Sequence, residues 1–129
     1  EKNTASRYWY RNSVSNRLFK VGTNMAKSRL HDDAVVGMLR KDPTLIPIYL
    51  QQAFVQIDED GGQAAFLLAL RHIIEARGGM ADIAEQSGLS RETLYRTLSP
   101  TGNPTLKTLR SIINATGIPF SSLATLSPT

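Results

Sequence analysis

Apolar residues recur every three or four positions along most of the chain, which is the spacing of an amphipathic α-helix. Between residues 43 and 57 this spacing follows Asp42 and Pro43. This pair is a strong start signal, because aspartate caps a helix and proline fits its first turn. No segment shows the strict alternation of a half-buried strand. The pattern therefore predicts an all-α fold, a compact bundle of five or six helices.

The most apolar segment is QAAFLLALRHIIEARGG, residues 63–79. Its apolar positions cover more than one face, which is typical of a helix at the centre of a bundle. We expect this helix to follow a turn at DEDGG and to end at its terminal glycine pair, since glycine ends helices at low steric cost. We also expect a short helix before it that is capped by Asp32 or Asp33 and ends near Lys41.

Shorter helices are predicted in the rest of the chain. Two of them, at about 80–87 and 90–98, precede the loop SPTGNP. Thr105 then caps a helix that reaches about Thr116, and one last short helix lies in IPFSSLATL. We expect four apolar residues of the Thr105 helix to face inward: Leu106, Leu109, Ile112 and Ile113.

The stretch ADIAEQSGLSRETLYRTLS, residues 81–99, has the features of two helices held at a steep angle. Ala84 is small enough to let the second helix approach, and Gly88 tolerates a positive φ at the turn. Apolar residues are spaced to fix the pair to a supporting helix: Ile83, Leu89 and Leu94. Together these features indicate a helix-turn-helix, in which the second helix is presented to a major groove.

The second helix of this pair is rich in hydrogen-bonding side chains. Ser90 is a good N-cap, and arginine can bind guanine through two hydrogen bonds. Asn103 allows a tight exposed turn, and Thr105 opens a helix whose free N–H groups could hold a phosphate. A solvated helix face, a turn and a cap would explain the same residues without DNA. The polar residues on the surfaces not used by the leucines are Arg91, Glu92, Thr93, Tyr95 and Arg96.

The net charge of +4 and the pI of about 9.7 suggest a polyanionic partner. Before Met25, however, five basic residues stand against one acid, so the first 24 residues carry the entire excess. Residues 25–129 are formally neutral. A DNA-binding hypothesis must therefore rest on where the charges lie in the fold.

Residues 1–24 show no apolar period, and MAKSRL at Met25 has the character of a natural translation start. We expect residues 1–24 to be an added or upstream-frame segment and residues 25–129 to form a single helical domain. Two alternatives stay open for the basic segment. It could be an arm that enters the minor groove, or a segment that folds on a partner.

Several chemistries find no support in the chain. It has no cysteine, which excludes disulfides and thiolates and fits a reducing cytosol. His31 and His72 are too far apart to suggest a metal site, and His72 fits the edge of a core. The acids at 58–60 lack the spacing of a calcium loop. With no nucleophile–base pair and no apolar run of membrane length, we expect no enzyme activity, cofactor, metal or membrane partner.

The stretch GLSRETLYRTLSPTGNPTLKTL resembles the probable addiction-module antidote proteins, and the resemblance covers roughly residues 32–123. These are HigA-like antitoxins, and the resemblance implies a phage-repressor-type, lambda-repressor-like helix-turn-helix. The resemblance implies a cytoplasmic protein that neutralises a small toxin encoded beside it and represses its own operon, usually as a dimer. It implies operator DNA, the cognate toxin and a second copy as partners. By position, the DNA-facing set would be Ser90, Arg91, Glu92, Thr93, Tyr95 and Arg96.

Two other functions stay open. The chain could be a stand-alone phage-type repressor, or a protein-interaction module in which the helix-turn-helix is only a scaffold. The neutral charge of residues 25–129 makes the second credible. Met80 stands where related repressors often carry a glutamine that contacts a phosphate, so the resemblance does not extend to that contact.

Overall fold

Seven helical segments account for the regular structure in the part of the chain that the structure describes, residues 25–124 of a computed structural model. This confirms the predicted all-α class. None of these helices is long and apolar enough to cross a membrane. Residues 1–24, with the expectations made for them, lie outside the described residues. The segments are α1 (Met25–Lys41), α2 (Leu45–Val55), α3 (Gly62–Ala76), α4 (Gly79–Ser87), α5 (Arg91–Thr97), α6 (Leu106–Ala115) and the 3₁₀ helix η1 (Phe120–Ala124).

Helix α3 lies at the centre of the bundle, as its apolar circumference predicted. Helices α1, α2 and α4 all pack against it. Burying one leucine, isoleucine or phenylalanine side chain stabilises a fold by about 1.5–3 kcal/mol. The helix therefore contributes a large part of the hydrophobic core. Five of its apolar side chains are almost completely buried: Phe66, Leu67, Leu70, Ile73 and Ile74.

The predicted start of the first helix is wrong. Helix α1 begins at Met25, and Asp32 and Asp33 lie inside it rather than at its cap. No glycine or proline interrupts residues 25–36, so nothing in the local sequence stops the helix from extending towards the N-terminus. Asp32 instead has a tertiary partner, His72 on α3.

Helix α2 begins two residues later than predicted. The Asp42 carboxylate accepts hydrogen bonds from the Thr44 N–H (3.3 Å) and the Thr44 hydroxyl (2.5 Å). The Leu45 N–H donates to the Asp42 carbonyl (3.0 Å), so a tight turn around Pro43 precedes the regular helix. Asp42 therefore marks the start of the turn and not the N-cap of the helix.

The inward face predicted for α6 is wrong at one position. Ile112 and Ile113 are fully buried and Leu109 is half-buried, but Leu106 is 67% exposed. Leu106 and Ile113 are seven residues apart and share a direction around the helix. Periodicity indicates this direction but not how far the elements that pack against α6 extend along it. The first turn of α6 extends beyond the core.

His72 joins three helices through its side chain. The residue is 4% exposed, its Nδ1 lies 2.7 Å from the Tyr49 hydroxyl on α2, and its Nε2 lies 2.9 Å from Asp32 Oδ1 on α1. A carboxylate only accepts, so Nε2 carries the proton and donates to Asp32, while Tyr49 donates to Nδ1. This network places His72 at the edge of the core, as the sequence predicted.

Burial lowers the pKa of His72 from its ordinary value of 6.5, against the opposing effect of the hydrogen bond and charge of Asp32. Above that value the ring is neutral in both the folded and the unfolded chain. As the pH falls through 6.5, the unfolded chain takes up a proton that the folded chain resists, so stability is lost towards acid pH. We therefore expect the melting temperature to fall between pH 7.5 and 5.5. The His72→Gln variant, which cannot titrate, should show a smaller fall, and an equal fall would contradict this role.

Candidate nucleic-acid interface

Helices α4 and α5 are joined by a turn that requires glycine. Gly88 follows α4 with φ +80°, which confirms the predicted positive φ. Its N–H donates to the Ala84 carbonyl (3.0 Å), and the Leu89 N–H donates to the same oxygen (3.1 Å). These bonds satisfy the Ala84 carbonyl group near the end of α4 and hold the turn that leads into α5.

The predicted apolar contacts of this pair lie in the core. Ile83, Ala84 and Leu94 are almost completely buried, and Leu89 is half-buried against the core. Helix α4 packs against α3, α5 and α6, so it supports the pair from several sides. Leu98, just after α5, is 1% exposed. One side of α5 is therefore held firmly, while its other side faces solvent.

Gly88→Val should destabilise the protein by about 1–2 kcal/mol, because a left-handed backbone costs an L-residue about that much. A Cβ built at Gly88 meets no atom within 4 Å, so the loss comes from backbone conformation alone. Gly88→Asn should cost less, since asparagine tolerates this region.

Gly37 is the matched control, because it lies in α1 with no atom near its Cβ position. Gly37→Ala should stabilise by about 0.5–1 kcal/mol. A thermal melt of Gly88→Val at the wild-type temperature would disprove the requirement.

Two of the predicted DNA-facing residues bind each other. Ser90 is the N-cap of α5, and its Oγ accepts from the Thr93 N–H at 3.0 Å. The Ser90 hydroxyl also donates to Thr93 Oγ1 at 2.9 Å. Ser90 is exposed and Thr93 is half-buried. Capping thus explains both hydroxyls without a ligand, and any contact that they make with DNA is additional.

The structure brings four predicted residues together on the solvent side of α5. Arg91, Glu92, Tyr95 and Arg96 are all exposed. Residues four apart are neighbours on a helix, so Arg91 lies beside Tyr95 and Glu92 lies beside Arg96. This surface, which we call the α5 patch, offers two guanidinium groups, one carboxylate and one phenol. Such groups can bind base edges and phosphates.

The loop between α5 and α6 carries the remaining two predicted residues. Asn103 and Thr105 are exposed, and Thr105 is the N-cap of α6 through a bond from the Thr108 N–H (3.1 Å). Gly102 is buried beneath them, and its N–H donates to the Ser99 carbonyl (2.9 Å). A Cβ on Gly102 would collide with the backbone of Thr97. The loop is therefore tight and directly continuous with α5.

Two exposed cations on α6 were missing from the predicted set. Lys107 lies two residues after the cap Thr105, and Arg110 lies one turn further. Their spacing of three residues places them on neighbouring positions of one face. The stretch LKTLR, residues 106–110, shows this spacing in the sequence, directly after the cap Thr105. Met80, by contrast, is 4% exposed, so its thioether belongs to the core.

Comparison of the sequence with known protein families identifies the family of this chain. A sequence model of the family described as "probable addiction module antidote protein" matches residues 34–124. The chain belongs to this family. The match to the antidote family begins inside α1 and contains every later element, including the α5 patch and the α5–α6 loop.

One relative of this chain is described as an uncharacterized protein of Haemophilus influenzae. The two are 40% identical over 75 residues, which is 58% of this chain and 72% of the relative. No solved structure matches the chain.

Proposed function

We propose that this protein is a sequence-specific DNA-binding antitoxin, which neutralises a cognate toxin and represses its own operon as a dimer. The observation that supports DNA binding is the α4–α5 pair. Its turn is set by Gly88, and α5 is held by Leu94 while its patch faces solvent. A helix that is rigidly anchored on one side and polar on the other is what major-groove reading requires.

In this proposal α4 and α5 form a helix-turn-helix, and α5 enters the major groove. Arg91 and Arg96 bind guanine edges or phosphates, and Glu92 accepts from cytosine N4. Asn103 and Thr105 bind the adjacent phosphates, which fixes the register of the protein on the duplex. Base contacts then supply the specificity.

A short helix reads only a few base pairs, which is too little for a unique operator. We therefore infer that two copies bind an inverted repeat, with half-sites about 34 Å apart or a multiple of that distance. Footprinting of the DNA upstream of the gene tests this. Two protected half-sites are expected, and protection of a single site by a monomer would contradict the dimer.

The family supports the second part of the function, the neutralisation of a toxin. The resemblance to the family implies a neighbouring short gene that encodes a basic protein. Co-expression of both genes followed by purification through a tag on the neighbour should recover this chain. A tagged neighbour that recovers nothing would contradict antitoxin function and leave a stand-alone repressor.

A protein-interaction module is the second candidate function, and one observation favours it. Acids and bases balance from Met25 onward, so residues 25–129 have no net attraction for DNA. In that case α4 and α5 serve as a scaffold for toxin capture. The two candidates differ in one measurement: a scaffold binds the toxin but retards operator DNA no more than unrelated DNA of the same length.

A further inference from the structure

A hydrogen bond joins the start of α3 to the α5–α6 loop. Gln63, the second residue of α3, donates from Nε2 to the carbonyl oxygen of Gly102 at 2.9 Å. The two residues are 39 positions apart, so the bond is tertiary. Neither capping of α3 nor packing of its core face requires it, because Gln63 is exposed and the core residues of α3 begin with Phe66.

The loop is held from two sides at Gly102. The Gly102 backbone lies so close to the Thr97 carbonyl that a Cβ would collide with it. From α3, Gln63 holds the carbonyl oxygen of the same residue. The position of Asn103, the next residue, follows from these contacts because its backbone continues directly from the Gly102 carbonyl.

We infer that Gln63 is a positioning residue for DNA binding, which holds the α5–α6 loop so that Asn103 reaches the phosphate backbone. This inference rests on the proposed function. Gln63 acts through Asn103 and does not itself bind DNA. Loop contacts to phosphate set the register of α5 in the groove, so a loop that moves weakens binding without removing any base contact.

Gln63→Met tests this role, because methionine keeps the length of the side chain and its lack of charge but cannot donate. We expect operator affinity to fall about three- to tenfold, the usual effect of one lost hydrogen bond. The informative measurement is a double-mutant cycle. In an Asn103→Ala background Gln63→Met should have no further effect, whereas in an Arg91→Ala background its effect should persist in full.

Gln52→Met is the matched control, since Gln52 is an exposed glutamine on α2. It should leave operator affinity unchanged. Circular dichroism checks that all variants are folded, and affinities are compared at one salt concentration.

The outcomes separate this inference from the function on which it rests. If Arg91→Ala weakens binding but Gln63→Met does not, the inference is wrong and DNA binding stands. The same holds if Asn103→Ala has no effect or if the two losses simply add. If the wild-type chain does not distinguish operator from unrelated DNA, the proposed function itself fails.

Discussion

Arg91→Ala and Arg96→Ala should each weaken operator binding by about 1–3 kcal/mol where the side chain reads a base. Both residues lie on the solvent side of α5, and the opposite side of that helix is fixed in the core by Leu94. Their loss therefore removes contacts without releasing the helix. In a dimer each substitution occurs twice, so the effect on the full operator exceeds that on one half-site. Titration of labelled operator in a gel-shift assay measures it.

The salt dependence of binding separates the two kinds of arginine contact. An arginine that neutralises a phosphate changes the slope of log affinity against log salt by about 0.9, and its loss weakens binding to any DNA. An arginine that reads a base affects only the operator. Arg29 on α1 is the control, because it is exposed on a helix that packs against α3. Arg29→Ala should be neutral. Wild-type affinity in both α5 variants would disprove the assignment of this face.

The elements nearest the candidate site were predictable because their signals are local. Gly88 ends α4 with its own backbone conformation, and Ser90 and Thr105 cap their helices with their own hydroxyls. Each signal acts within four residues of the helix end that it sets. The bounds of α4 and α5 were therefore predicted to within one residue.

The sequence predictions were wrong where a residue distant in the chain determines what a side chain contacts. Asp32 has the character of a cap in sequence, but its partner His72 lies 40 positions away. The hydrogen bond between Gln63 and Gly102 could not be predicted either, since no sequence pattern links two residues 39 positions apart. A period of 3.6 gives the direction of a side chain around its helix. It does not show how far the neighbouring helices extend, which is why Leu106 was assigned to the core.

The exposed residues that were predicted to face DNA lie between these two cases. Sequence periodicity correctly placed Arg91, Glu92, Tyr95 and Arg96 away from the leucines. It did not show that Ser90 and Thr93 already bond to each other. A polar residue at the start of a helix can cap the helix or contact a ligand. The hydrogen-bond distances in the structure show which residues act as caps.

Leu94→Ala should have the largest effect on stability of the substitutions considered, about 2–5 kcal/mol. Leu94 is the fully buried side chain of α5, and it fixes this seven-residue helix to the core. Its removal subtracts the transfer free energy of the side chain and leaves a cavity that a rigid bundle fills only in part. Small domains have only about 5–15 kcal/mol of stability, so a substantial share would be lost. Urea unfolding, followed by circular dichroism, measures this change.

Leu106→Ala is the matched control, because it makes the same chemical change at a side chain that is 67% exposed. It should change stability by no more than about 0.5 kcal/mol. Operator binding should separate the pair further. Leu94→Ala should also lose operator affinity, because α5 keeps its exposed side chains but is no longer fixed to the core, whereas Leu106→Ala should leave operator affinity unchanged. If Leu106→Ala proves as destabilising as Leu94→Ala, the first turn of α6 is covered in solution by a partner, which would contradict the use of Leu106 as an exposed control.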